Sequence, residues 1–154
     1  MPADFISYSH IIVGVDLSED CPQVIHKAAA LAASCNARLS LAHVLEPIAF
    51  AYGGDMPVDL SGVQEQQLQK AEIELGQLAK NTHYPIQQQH VLLGQAAAEL
   101  HYLAEQESAD LIVVGSHGKK GLALLLGSTP NSVLHGASCD VLAVLVKKQD
   151  LAED

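Results

Sequence analysis

Short apolar runs alternate along this chain with longer stretches in which apolar residues recur every three or four positions. His10 to Val15 reads as a buried strand, because a strand covered on both faces carries a continuous run of apolar residues. Ser18-Glu19-Asp20 supplies a cap and first-turn acids for a helix with Pro22 in its first turn. Val24, Ile25, Ala28, Ala29, Leu31 and Ala32 give that helix an apolar stripe to about Cys35, where Asn36-Ala37 breaks it. Arg38 to Val44 forms the second strand. A long amphipathic helix, about Gly62 to Lys80, carries Val63, Leu68, Ala71, Leu75, Leu78 and Ala79. The third strand, about Ile86 to Leu93, is polar at alternate positions at first, which suits a place nearer the sheet edge. A helix from about Gln95 to Gln106 and a fully apolar strand, Leu111 to Val114, come next. A helix from Pro130 to about Gly136 and a last strand, Asp140 to Val146, complete the order. Residues 46–62, with Pro47, Gly53, Gly54, Pro57 and Gly62, are the least regular stretch and read as a mobile loop. The charged tail, Lys147 to Asp154, reads as frayed.

Five alternations of strand and helix are the pattern of a parallel sheet with helices on both faces. Right-handed crossovers then favour a doubly wound α/β fold with a five-stranded sheet in the order 3-2-1-4-5, Rossmann-like or flavodoxin-like. The chain reads as one domain over residues 1–154, with an ordered core at about 8–148. In this arrangement the winding reverses between strands 1 and 4. Ligands bind outside the carboxyl ends of the strands at such a point. Asp16, after strand 1, and Gly115, after strand 4, both fall there.

The richest segment is 110–130. Its strand runs into Gly115-Ser116-His117-Gly118, followed by Lys119-Lys120, Gly121 and then Gly127-Ser128-Thr129 before Pro130. Glycines permit positive φ and close approach of backbone N–H groups to a ligand. Ser128 or Thr129 as N-cap, with proline just inside, is a strong helix start. Backbone donors, a positive helix end and two lysines in one place describe an anion site, most simply for phosphate.

Composition narrows the function. The chain of 154 residues has a formal net charge of −10 and eight histidines. Arg38 is the single arginine, and only 4% of residues are aromatic, so the core must be aliphatic. Such an acidic chain lacks the basic face that general nucleic-acid or anionic-membrane binding needs. No apolar span is long enough to cross a membrane, and no secretory leader is evident. Cys21, Cys35 and Cys139 are scattered without metal-ligand spacing and read as reduced, mostly packed thiols of a cytoplasmic protein. No HxxxH or HExxH pair occurs, and the histidines, taken singly, read as surface or packed residues.

Several chemistries are disfavoured. GxxxxGK[ST] is absent, as is GxGxxG after strand 1. The acidic turn Asp16-Leu17-Ser18-Glu19-Asp20 would repel an FMN phosphate. A phosphoacceptor receiver domain would need an aspartate after strand 3, where Leu93-Gly94 stands. No catalytic constellation emerges; Ser128 has no partner nearby in sequence, and the expected activity is at most that of a weak ATPase.

His10-Ile-Ile-Val-Gly-Val-Asp-Leu-Ser18, Ala37-Arg-Leu-Ser-Leu-Ala-His-Val44 and residues 110–146 resemble the universal stress protein A family of small cytoplasmic α/β proteins. Its nucleotide-binding members carry G-x2-G-x9-G-[ST], a loop that cradles ATP phosphates. Gly115 and Gly118 match the first half and Gly127-Ser128 the second, with eight intervening residues in place of nine. One deletion shortens the loop by up to about 3.5 Å, and Gly121 offers freedom to absorb it. The resemblance implies that Asp16 accepts a hydrogen bond from ribose hydroxyls. It implies that Gly14, Val15, Val44 and Val114 lie beside the base, and that Gly115, His117 and Gly118 approach ribose and phosphate. Gly127, Ser128 and Thr129 would donate to the phosphates, with Lys119 as a nearby positive charge.

Two functions follow. One is a nucleotide-binding sensor or regulatory module of the stress response, taking ATP (or ADP or AMP), with Mg2+ as a companion of the phosphates. The other is a stress-associated dimer that binds no nucleotide and acts through protein interaction alone. In either case Val141 to Val146, an apolar run at the expected sheet edge, predicts a homodimer through strand 5.

Overall fold

The computed structural model describes residues 7–47, 61–117, 133 and 135–146. The described elements are β1 (His10–Gly14), α1 (Cys21–Cys35), β2 (Arg38–Leu45), α2 (Ser61–Lys80), β3 (Gln88–Leu93), α3 (Ala96–Gln106), β4 (Leu111–His117) and β5 (Asp140–Val146). The strands form one sheet in the order β3-β2-β1-β4-β5, and every pairing is parallel. The strand order expected from the sequence is the one observed.

Alternation along the strands sorts side chains between two cores. Ile11 and Val13 of β1, Leu39 and Leu41 of β2, and Leu111 and Val113 of β4 pack with Val24, Ile25 and Ala28 of α1 and Leu75 of α2. On the other face Ile12, Ala42, Ile112 and Val114 meet Ala97, Leu100, Leu103 and Ala104 of α3, together with Val133. Ile11, Ile12 and Val13 are fully buried, each stabilising the fold by roughly 1.5–3 kcal/mol. Their continuous burial is why β1 shows no alternation in the sequence.

The helix ends follow local chemistry, with one departure from expectation. Asn36 adopts a left-handed conformation at the end of α1 and returns its N–H to Ala32 and Ala33. Gln95 caps α3 by accepting from the Ala98 N–H at 3.0 Å. The N-cap of α1, however, is Asp20, without a side-chain capping bond and with no acid in the first turn. Ser18 does not cap that helix through its side chain, because its hydroxyl donates to Asp16 at 2.8 Å.

Strand 4 is longer than its apolar run. It continues through Gly115, Ser116 and His117, which pair with Val144, Leu145 and Val146 of β5. Strand 3 is shorter than expected and begins at Gln88. The expected loop 46–62 and tail 147–154 lie largely outside the described residues; Ser61 and Gly62 open α2.

Candidate functional site

The carboxyl ends of β1 and β4 lie side by side, and from them the chain departs to opposite faces of the sheet: α1 covers one, α3 and Val133 the other. This is the point where a parallel sheet opens a crevice.

Gly14, Val44 and Val114 contribute to one wall, on the α3 side. A Cβ at Gly14 would stand 3.1 Å from Leu100 and 3.2 Å from Val114, so a larger residue there would press into that helix. Val44 packs against the same cluster, in which Val114 is nearly fully buried. Val15 alternates to the other face, where its side chain is buried against α1. Its N–H continues the ladder to the Ala42 carbonyl at 2.7 Å. The Val15 side chain therefore stands apart from the wall formed by Gly14, Val44 and Val114.

Past Val15 the chain turns sharply. Leu17 adopts φ 60°, a left-handed conformation that costs a non-glycine residue of order 1–2 kcal/mol. Packing of the Leu17 side chain on the α1-side core helps to offset that cost. The Asp16 carboxylate accepts from the Ser18 N–H at 3.0 Å and from its hydroxyl at 2.8 Å. Such an Asx turn holds the acid at the mouth of the crevice. Asp16 is exposed there. Its charge also reaches Cys21, whose thiol is pushed up to about 11, first by burial and then by Asp16.

Gly115 belongs to β4 rather than to the loop beyond it. A Cβ there would meet Val24 Cγ2 at 2.9 Å and Val146 Cγ2 at 3.4 Å. The glycine thus answers to the packing of α1 and β5. His117 pairs through its backbone with Val146 at the end of the ladder. Gly118, Lys119, Gly127, Ser128 and Thr129 lie outside the described residues.

Two histidines that the sequence left among surface or packed residues make specific bonds, His43 at this end of the sheet and His101 on the α3 face. His43 Nδ1 donates to the Val15 carbonyl at 2.6 Å. His101, on α3, donates from Nε2 to the carbonyl of Val133 at 2.8 Å. The signal for His43 was its polar character in an apolar strand, directly before Val44; His101 had no signal beyond helix periodicity.

The comparisons with known proteins agree with this architecture. The profile of the universal stress protein family matches residues 7–144. The chain belongs to that family. Universal stress protein A homolog 1 of Coxiella burnetii is 43% identical over 142 residues, covering 92% of this chain and 99% of the relative. Homolog 2 of the same organism is 39% identical, with 92% of this chain and 97% of the relative covered. Among solved structures, the universal stress protein UspA of Lactobacillus plantarum superposes with a TM-score of 0.72 at 22% identity, covering 91% of this chain and 99% of that one. A universal stress protein in complex with cAMP gives 0.61 at 24% identity over 92% of this chain and all of its own. The universal stress protein of Archaeoglobus fulgidus in complex with dAMP gives 0.60 at 15% identity, over 93% of this chain and 100% of its own.

Proposed function

We propose that this universal stress protein binds an adenine nucleotide in the crevice between β1 and β4 and acts as a sensor or regulatory module. The observation that carries the reading is the Asp16 turn. An exposed carboxylate stands at the reversal point of the sheet, where ribose hydroxyls would find an acceptor. The base would lie along Gly14, Val44 and Val114. The phosphates would turn away from Asp16, Glu19 and Asp20 towards Lys119 and the backbone of Gly118 and Gly127 to Thr129. Structures of family members with cAMP and dAMP support an adenine ligand.

Among the described residues, no group of three or more His, Cys, Asp or Glu side chains could hold a metal ion. A Mg2+ would be brought with the ATP phosphates and would supply neutralising charge there. Three free cysteines fit a reducing, cytoplasmic setting. The edge position of β5, with Leu142 and Leu145 exposed, supports a homodimer through that strand.

The test begins with mass spectrometry of small molecules released on denaturing the freshly purified protein. Calorimetry of the stripped protein with ATP, ADP and AMP follows. Binding that Gly127→Val abolishes, and that Lys119→Ala weakens in a salt-dependent way, is the expected result. No heat at millimolar nucleotide overturns the reading. It would favour the second function, a dimer acting through protein contacts, to which the one-residue-shorter glycine segment points.

A further inference from the structure

We infer that His43 is a positioning residue for the nucleotide, acting through the Val15–Asp16 peptide. The inference rests on the adenine-nucleotide reading of the crevice and assigns a role to a side chain that lines none of its proposed contacts.

Ladder hydrogen bonds hold β1 to β2 up to the Val15 N–H, which reaches the Ala42 carbonyl. In a continued parallel ladder the next group, the Val15 carbonyl, would accept from the β2 backbone. Here it accepts from the His43 imidazole at 2.6 Å. A carbonyl only accepts, so Nδ1 carries the proton. This side-chain bond clamps the plane of the Val15–Asp16 peptide while the chain leaves the sheet. The next residues are Asp16, whose carboxylate is held by Ser18, and Leu17, at φ 60°. Rotation of the Val15–Asp16 peptide would swing the carboxylate. Strained residues persist where their surroundings over-determine them, and His43 supplies one such constraint from a neighbouring strand. The bond is half-buried, which shields it from competition by water.

The experiment compares ATP with 2′,3′-dideoxyATP, which lacks both ribose hydroxyls, by calorimetry on the full-length wild type, H43L and H43N. Leucine keeps apolar bulk without a donor, while the asparagine amide can place a donor close to the position of Nδ1. The wild type is expected to prefer ATP roughly tenfold, the scale of a hydrogen bond to a charged group. H43L should bring that ratio to within about twofold of unity, and H43N should restore most of it. A purely structural role would weaken both ligands alike and leave the ratio intact; that result overturns the inference while the nucleotide reading stands. A wild type that binds ATP without discriminating removes the ribose role of Asp16 and the inference with it, and one that binds no nucleotide overturns both. Should H43L fail to fold, 15N spectra of the wild-type imidazole decide. An Nδ1–H resonance that shifts on titration with ATP but not with 2′,3′-dideoxyATP supports the clamp; an equal response to both ligands, or an Nε2–H tautomer, overturns it.

Discussion

The His10 imidazole and the Ser40 hydroxyl meet at 2.8 Å between β1 and β2, with His10 only 1% exposed and Ser40 fully buried. The other ring nitrogen, Nδ1, donates to the Glu107 carbonyl at 3.1 Å. With Nδ1 protonated, Nε2 accepts from the hydroxyl, and both buried polar groups are satisfied. Ser40→Ala should leave Nε2 without a partner and cost about 1–3 kcal/mol. Combining it with His10→Phe should recover part of that loss, since apolar replacement of both partners removes the unpaired group. Urea unfolding of the single and double variants measures the coupling.

Gly115→Ala should destabilise by about 1–3 kcal/mol, because its Cβ would stand 2.9 Å from Val24 on a covering helix. Gly14→Ala should cost less, since its nearest contacts, Leu100 and Val114, stand farther off at 3.1 and 3.2 Å. Thermal unfolding without ligand separates this packing cost from any effect on binding.

Asp110 joins the amino ends of β1 and β4, accepting from the Ser9 and His10 N–H groups at 3.0–3.1 Å. Burial pushes its carboxyl up, but these bonds and that of the Ser9 hydroxyl outweigh burial and leave it below the ordinary value of 3.8. A depressed carboxylate adds stability that is complete above the unfolded value and is lost as pH falls through the lower folded one. Asp110→Asn should therefore be less stable at neutral pH and show a flatter stability curve below about pH 4. Melting temperatures across the acid range provide the check.

Cys21 should be the slowest thiol to react with a maleimide at pH 8. It is 3% exposed, and its thiol is pushed up to about 11 by burial, whereas Cys35 and Cys139 are half-buried. Peptide mapping after timed labelling ranks the three; early modification of Cys21 would show that the start of α1 opens readily.

Leu145 is 59% exposed on the edge strand, while Val144 and Val146 beside it turn into the core. Leu145→Glu should shift the proposed dimer towards monomer and leave the fold intact. Sedimentation equilibrium at micromolar concentration reads the change directly.

The sequence spoke clearly where burial is uniform and ambiguously where a side chain serves a distant backbone group. Ile11 to Val13 and Leu111 to Val114 form runs that only strands covered on both faces explain, and the strand order followed from their alternation with helices. The end of β4 was not legible, because glycine, serine and histidine at 115–117 read as a turn while their pairing comes from β5. Ser18 resembled a helix cap because the same hydroxyl chemistry serves caps and Asx turns. Of the site, Gly14, Val44 and Val114 fall on one wall. The bond from His43 joins residues whose proximity depends on a register that no local pattern encodes.

The bond from His101 to Val133 bears on where a change in chain length would be felt. Behind the glycine segment stands the ladder of β4 with β5, which runs to His117; ahead of it stands Val133, tied to α3. An insertion or deletion between two such posts need not shift the pairing of β4 with β5. A change of one residue between Gly118 and Gly127 would thus fall on the proposed phosphate contacts, while the register of the sheet stays with the β4–β5 ladder.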